Sequence, residues 1–254
     1  MKKFKRVLAL AMAVILSVPT IITTGMGTVP VKAAGDTVEL TVSSESVKYA
    51  GYETHKMYAG GNYAYCVQPS KKTPQSGTYE KHYDVENYVS NAGDETQALQ
   101  SRNLAYYCWG APGFNASYFP STWYDGSAMD DDKYIALSHI MLSFLVSYDE
   151  VGSMHGCNSS FKNWVYQNVL GYNANGDLVN GQATLPILCW ATAPASFKVY
   201  ILSTGSATQN ILGYEYTPTG TVSLSKSSAD TGITSGNSCY SLAGAVYGIY
   251  SDAG

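Results

Sequence analysis

A largely apolar stretch from Tyr134 to Tyr148 constrains the fold of this chain most strongly, because neither glycine nor proline interrupts it. Three aspartates at positions 130–132 precede it and suit the positive N-terminal end of a helix dipole. Helical spacing gives it two apolar faces: Ile135, Leu142 and Val146 with His139 on one, and Leu137, Met141, Phe144 and Tyr148 on the other. A helix that is apolar on nearly all sides is buried in its protein. The rest of the chain must therefore enclose this helix.

Strand-like segments lie on both sides of the predicted helix. Residues 37–65 alternate loosely between apolar and polar side chains and are broken by glycines, and residues 185–216 return to a strand-like composition. Two further helices are predicted between these segments, at residues 95–109 and 159–170. We therefore expect an α+β fold, in which a β-rich N-terminal domain carries a helical insert of about three helices.

The first 34 residues predict export from the cell. Basic residues at positions 2–6 precede an apolar run from Val7 to Val18, and Ala33 and Ala34 provide the small residues of a signal-peptide cleavage site. No later apolar stretch is long enough to span a bilayer, so we expect no membrane contact after cleavage. Five of the 15 basic residues lie in this segment, which leaves 10 against 19 acidic residues and disfavours a nucleic-acid partner.

The composition changes again at Pro218. Strand-like alternation at residues 221–226 begins a new unit, and this unit ends at Gly254. About 35 residues are too few to bury a sufficient core. The predicted organisation is therefore a signal peptide at residues 1–34, a main domain at residues 35–217 and the opening strands of a truncated second domain at residues 218–254.

The cysteines left after cleavage are odd in number, which allows two disulfides and one free thiol in an oxidising compartment. They are Cys66, Cys108, Cys157, Cys189 and Cys239, and their spacing leaves the connectivity open. None shows the Cys-x-x-Cys or Cys/His spacing of a zinc site. The acidic run at residues 125–132 lacks the mid-loop glycine and closing glutamate of a calcium-binding loop. We expect no metal or other cofactor.

The sequence AYCVQP at residues 64–69 and the apolar helix after Asp132 together resemble the thioester domains of Gram-positive surface adhesins. In that family a cysteine after an aromatic residue forms an internal thioester with a glutamine, and the strained bond acylates amines on a host surface. The resemblance covers roughly residues 37–216 and assigns Cys66 as the thioester cysteine. The family's Thr-Gln pair on the buried helix falls on Ser138-His139, and imidazole has no carboxamide, so this alignment predicts that no thioester forms. Three other glutamines are near in sequence but lie outside the matching motif: Gln68, Gln97 and Gln100.

The C-terminal segment resembles the start of a collagen-adhesin B-type repeat, the SpaA-like prealbumin stalk domain of pilins. The matching sequences are VSLSK at residues 222–226 and SCYSLAGAVYGIY at residues 238–250. In that family a strand lysine forms an intramolecular isopeptide bond with an asparagine on the last strand, and Lys226 matches the lysine. The resemblance implies a truncated β-sandwich repeat, in which Cys239 pairs with a cysteine beyond residue 254.

These features together predict a secreted adhesin or pilin-tip subunit at the cell wall or cell surface of a Gram-positive bacterium, and not an enzyme. Its expected partners are a host or extracellular-matrix surface protein or glycan and other pilin subunits. The family resemblance also brings Cys66 and His139 together in space. That proximity admits an alternative, a secreted Cys/His hydrolase or transferase, because a neighbouring imidazole activates a thiol. A purely structural pilin spacer is the second alternative.

Overall fold

Six strands of the computed structural model form a closed antiparallel barrel. The structure describes residues 36–178 and 183–218, together with residues 233 and 235. The chain divides into two units, Met1–Thr217 and Pro218–Gly254, and all six described strands belong to the first. They are β1 (Thr37–Tyr49), β2 (Tyr52–Ala59), β3 (Asn62–Cys66), β4 (Gly77–His82), β5 (Phe197–Leu202) and β6 (Ile211–Tyr216). The order around the barrel is β1-β2-β3-β6-β5-β4, and β4 closes it by pairing with β1.

The helices are inserted between β4 and β5. They are α1 (Glu95–Tyr107), α2 (Asp131–Ser147), α3 (Glu150–Ser153), α4 (Ser159–Val165) and α5 (Thr184–Leu188), with a π-helical turn at Tyr166–Leu170 and short 3₁₀ turns at Val85–Asn87 and Ala116–Tyr118. The predicted α+β fold with a helical insert is confirmed, and the three predicted helices correspond to α1, α2 and α4 with its π-helical turn. Helices α3 and α5 were not predicted.

Helix α2 is the buried helix that the sequence predicts. Its N-cap is Asp130, whose Oδ1 accepts a hydrogen bond from the Lys133 amide at 3.0 Å. Every residue from Ile135 to Val146 is buried. The helix ends at Tyr148, whose φ of 52° lies in the left-handed region that usually favours glycine.

Two apolar cores position the strands. The smaller core takes residues from five strands and fills the barrel: Leu40, Met57, Ala59, Ala64, Cys66, Tyr200, Leu202 and Ile211. The larger core packs other strand residues against the helices, with α2 at its centre. Residues of β3 contribute to both cores, because side chains alternate along a strand. Strand β3 therefore connects the barrel interior to the buried helix.

One segment differs from its sequence-based interpretation. Strand-like composition from Leu185 onward predicts a strand there, but Thr184–Leu188 is the short helix α5, and β-structure begins only at Phe197. Pro186 lies in the first turn of α5, where the missing N–H costs no intrahelical hydrogen bond. Among the described residues, no helix has both the length and the apolar character needed to cross a bilayer.

Candidate functional site

Cys66 is the last residue of β3 and lies against β6. It is 2% exposed and pairs directly with Ile211, the first residue of β6. The adjacent pair is Tyr65 with Leu212, which fixes the antiparallel register of the two strands. In such a register, the residue two positions from a direct partner is a diagonal neighbour on the same face. Gln209 precedes Ile211 by two residues, just outside β6, and its side chain reaches the Cys66 thiol as a hydrogen-bond partner.

Gln209 is held rigidly in a buried position beside Cys66. Its side chain is 3% exposed, its backbone N–H donates to the Lys72 carbonyl at 3.0 Å, and its own carbonyl accepts from Thr204 Oγ1 at 2.7 Å. Among the residues that the structure describes, its Oε1 has no hydrogen-bond partner. Buried polar atoms without partners are rare in folded proteins and call for an explanation. The site thus places a primary carboxamide beside a thiol, away from water.

The thiol of Cys66 stays protonated at neutral pH. Burial raises its pKa to about 12, against opposing hydrogen bonds from the Thr54 and Gln209 side chains that lower it. Thr54 Oγ1 lies 4.0 Å from Sγ. A thiol with this pKa is a poor nucleophile toward reagents in solution. Its reactivity therefore depends on what the fold places next to it.

His139 contacts Cys66, as expected, but through the backbone. Its Nδ1 accepts a hydrogen bond from the Cys66 amide at 3.1 Å, so the ring proton is on Nε2 and donates to Tyr63 Oη, also 3.1 Å away. Burial lowers the pKa of His139 to about 4, so the ring is neutral. Tyr63 and Tyr65 pack edge-on against this ring. Both nitrogens of the imidazole are occupied, and neither is free to accept a proton from the thiol.

The segment after Cys66 is tied to both α2 and the Gln209 region. Ser147 Oγ of α2 donates to the Val67 carbonyl, and the Val67 amide donates to the Asn210 carbonyl at 3.2 Å. The Asn210 amide in turn donates to Gln68 Oε1 at 3.3 Å. Asp149, just beyond α2, accepts from the Ser70 amide at 2.8 Å. These contacts hold Cys66 and Gln209 in one rigid arrangement.

The other predicted site residues lie apart from this arrangement or outside the described residues. Cys108, Cys157 and Cys189 are buried free thiols in the structure. Cys157 Sγ lies 3.8 Å from the Tyr49 carbonyl and Cys189 Sγ lies 3.8 Å from the Pro186 carbonyl. Lys226 and Cys239 fall outside the residues that the structure describes.

Sequence reasoning missed Gln209, although the chain offered a signal. It contains two Thr-Gln pairs, Thr96-Gln97 and Thr208-Gln209. Gln97 is structural, because its amide donates to the Leu145 carbonyl at the C-terminal end of α2. The pair at 208–209 precedes a strand, whereas the resemblance placed the family's Thr-Gln pair on the buried helix. A search for Thr-Gln outside that helix would have identified Gln209.

A buried thiol at the end of β3 and a buried carboxamide just before β6 are the two groups from which an internal thioester is made. The family model of the thioester domain matches residues 37–175, more than half of the chain, and the chain belongs to the thioester domain family. Such domains are typical of surface-exposed proteins, and membership supports an adhesin-type function. The match includes Cys66 and His139 but ends before Gln209, whose assignment depends on the structure. No curated protein and no solved structure matches the chain significantly.

Proposed function

We propose that Cys66 and Gln209 form an internal thioester and that the protein uses it to attach itself covalently to amines on an extracellular surface. The observation that carries this proposal is the buried Gln209 carboxamide, with an unpartnered Oε1, beside the Cys66 thiol. The prediction that no thioester forms placed the acyl donor at position 139 and set aside Gln68, Gln97 and Gln100, but it did not weigh Gln209. Gln209 supplies the carboxamide that His139 lacks.

Formation of the thioester needs no reactant other than these two side chains. Cys66 Sγ adds to Gln209 Cδ, the Cδ–N bond breaks, and the amide nitrogen leaves as ammonia with the thiol proton. A primary amine then attacks Cδ, the S–Cδ bond breaks, and an amide joins the partner to Gln209. Because the pKa of the Cys66 thiol is about 12, the sulfur leaves as a thiol and takes the proton that the amine gives up. Each molecule reacts once, so the protein is an adhesin and not an enzyme.

The surroundings favour formation and survival of the bond. The apolar barrel excludes water, which would otherwise hydrolyse a thioester. The hydrogen bond from the Cys66 amide to His139 fixes the end of β3 against α2. We assign His139 to this positioning role. The same contact argues against a Cys/His hydrolase, since it occupies the nitrogen that a general base would need.

Intact mass of the mature protein tests the thioester. The expected mass is lower than that of the sequence by one ammonia, and methylamine should add one molecule of amine and expose one thiol. Cys66→Ala and Gln209→Ala should each abolish both changes. Cys189→Ala, which removes another buried thiol, is the matched control and should keep them. A folded protein with the full sequence mass would refute the thioester, and peptide mapping of the lost ammonia to another glutamine would refute the assignment of Gln209.

We also propose that the protein is displayed at the cell surface of a Gram-positive bacterium, as an adhesin or pilin-tip subunit that reacts with a surface protein or a glycan-bearing partner. The support is the export pattern of residues 1–34 together with the family membership. N-terminal sequencing of the surface-exposed protein should give a start near residue 34 or 35. Recovery of the uncleaved chain from the cytoplasm would contradict this localisation.

A further inference from the structure

A cavity of about 400 Å³ lies beside the segment that follows Cys66. Its lining is dominated by uncharged polar and aromatic side chains: Gln68, Tyr88, Ser90, Asn91, Ser147 and Tyr148. The volume lies within the range of small-ligand sites. Residues 88–91 come from the segment between the first 3₁₀ turn and α1, and residues 147–148 come from the end of α2.

The cavity borders the segments that flank the thiol and carboxamide pair. Gln68, two residues after Cys66, lines the cavity and accepts the amide hydrogen bond of Asn210, the residue after Gln209. Ser147 also lines the cavity, and it donates to the Val67 carbonyl. A group bound in this cavity would therefore lie next to the peptide segments that carry both reacting side chains.

The chemistry of the lining selects the kind of ligand. Among the described residues that line the cavity there is no Lys, Arg, Asp, Glu or His, so a charged group entering it would lose hydration without gaining a counter-charge from them. Gln68, Ser90 and Ser147 already form hydrogen bonds within the protein, and Asn91, Tyr88 and Tyr148 add an amide and two phenolic hydroxyls with donor and acceptor capacity. The two tyrosines also carry apolar ring faces. A neutral polyhydroxylated ligand matches this combination, because it presents hydroxyls at its edge and C–H groups on its faces.

Tyr148, the residue that caps α2, also lines the cavity. Its φ of 52° is the left-handed conformation of a helix C-cap, and its amide donates to the carbonyls of Phe144 and Ser143. Glycine is preferred in this conformation, in which a bulky side chain is strained. The chain therefore carries a tyrosine, and not glycine, at the helix cap beside the cavity.

We propose that this cavity binds one neutral sugar residue of an extracellular glycan. The bound glycan would hold the amines of a glycosylated partner close to Cys66 and Gln209, and this second step rests on the proposed thioester function. Non-covalent capture would accelerate acylation by raising the effective concentration of the amine. The site would thereby select glycosylated partners over other amine-bearing proteins.

Sugar binding is tested first without the thioester, in the Cys66→Ala protein. Methyl glycosides of glucose, galactose, mannose, N-acetylglucosamine and N-acetylgalactosamine would be titrated while backbone amide NMR shifts are recorded. At least one glycoside should give saturable shifts at residues 88–91 and 147–148. Absence of saturation for all five, or saturation of these residues by lysine or phosphate instead, would overturn the proposal.

Variants distinguish loss of sugar binding in the cavity from general effects on the fold. Asn91→Leu should remove the saturable shifts, whereas Asn87→Leu, an exposed asparagine four positions earlier that does not line the cavity, should keep them. Tyr148→Gly should also lose binding while the protein stays folded, because glycine suits the left-handed backbone at that position. Equal binding by the Asn91→Leu and Asn87→Leu proteins would place the sugar elsewhere and refute the assignment.

A second experiment links the cavity to acylation. Protein with intact Cys66 would be incubated with serum albumin that carries the bound sugar and with unglycosylated albumin at equal lysine concentration. The glycosylated albumin should form the covalent adduct faster, and Asn91→Leu should abolish that difference without changing the reaction with methylamine. Equal rates for the two albumins would refute the role of the cavity while leaving the thioester intact. Failure of both albumins to react, with sugar binding retained in Cys66→Ala, would refute the thioester alone.

Discussion

The neutral, buried state of His139 predicts a specific dependence of stability on pH. Burial lowers the pKa of His139 to about 4 in the folded protein, whereas an unfolded histidine titrates near its ordinary value of about 6.5. Between these two values the unfolded chain binds a proton that the folded protein does not. The free energy of unfolding therefore decreases as the pH falls from about 6.5 to about 4. The full effect is about 3 kcal/mol, and about 2 kcal/mol of it is lost by about pH 5.

The substitution His139→Gln isolates this effect. Glutamine does not titrate, yet its Oε1 can accept from the Cys66 amide and its Nε2 can donate to Tyr63 Oη, as His139 does. Urea unfolding would be measured in a Cys66→Ala background, so that no covalent cross-link interferes. The difference in unfolding free energy between the parent and His139→Gln should shift in favour of glutamine by about 2 kcal/mol between about pH 7 and about pH 5.

An exposed histidine provides the control for this comparison. His155 is exposed, and His155→Gln should follow the pH dependence of the parent. Parallel curves for the parent and His139→Gln would refute the reasoning, because they would mean that His139 titrates alike in the folded and unfolded states. An equal pH-dependent shift in His155→Gln would also refute it, since the effect would then not come from burial.

Two further substitutions test contacts around the site and the barrel. Gly110→Ala should lower the free energy of unfolding by about 2 kcal/mol or more in chemical denaturation, because φ is 86° and the added Cβ would lie 2.7 Å from Cβ of Tyr63. Gly93→Ala is the control, since its φ is 88° but the space around it is open. It should lose only the backbone strain of about 1 kcal/mol. Lys81, whose side chain is 11% exposed, bridges the carboxylates of Glu215 at 2.5 Å and Asp36 at 3.4 Å, so Lys81→Met should lower the free energy of unfolding by about 1–2 kcal/mol. Lys48→Met breaks a mostly exposed ion pair and should change that free energy by no more than about 0.5 kcal/mol. Similar losses in the two lysine variants would contradict this ranking.

Local sequence patterns were sufficient for the three longest helices but not for α3, α5 or the pairing of strands. Asp130 and the apolar run after it predicted α2 almost to the residue, because capping and helical periodicity are properties of neighbouring residues. The pairing of Tyr65 with Leu212 joins distant parts of the chain and leaves no local pattern. The Thr208-Gln209 pair is visible in the sequence, but its proximity to Cys66 follows from that register, and no local pattern connects the two. The resemblance pointed to Cys66 but directed attention to His139 as its counterpart.

The position of Gln209, two residues before β6, has a mechanical consequence. In the proposed reaction the partner becomes bonded to Gln209, and the chain continues from β6 through Tyr216 toward Gly254. Tension between the partner and the C-terminal part of the chain would then pass through residues 209–216 alone, by way of covalent bonds. The rest of the barrel and all five helices would carry none of that load. A force that unfolds the domain would leave the covalent bond to the partner intact. Attachment would therefore not depend on the stability of the fold that formed the bond.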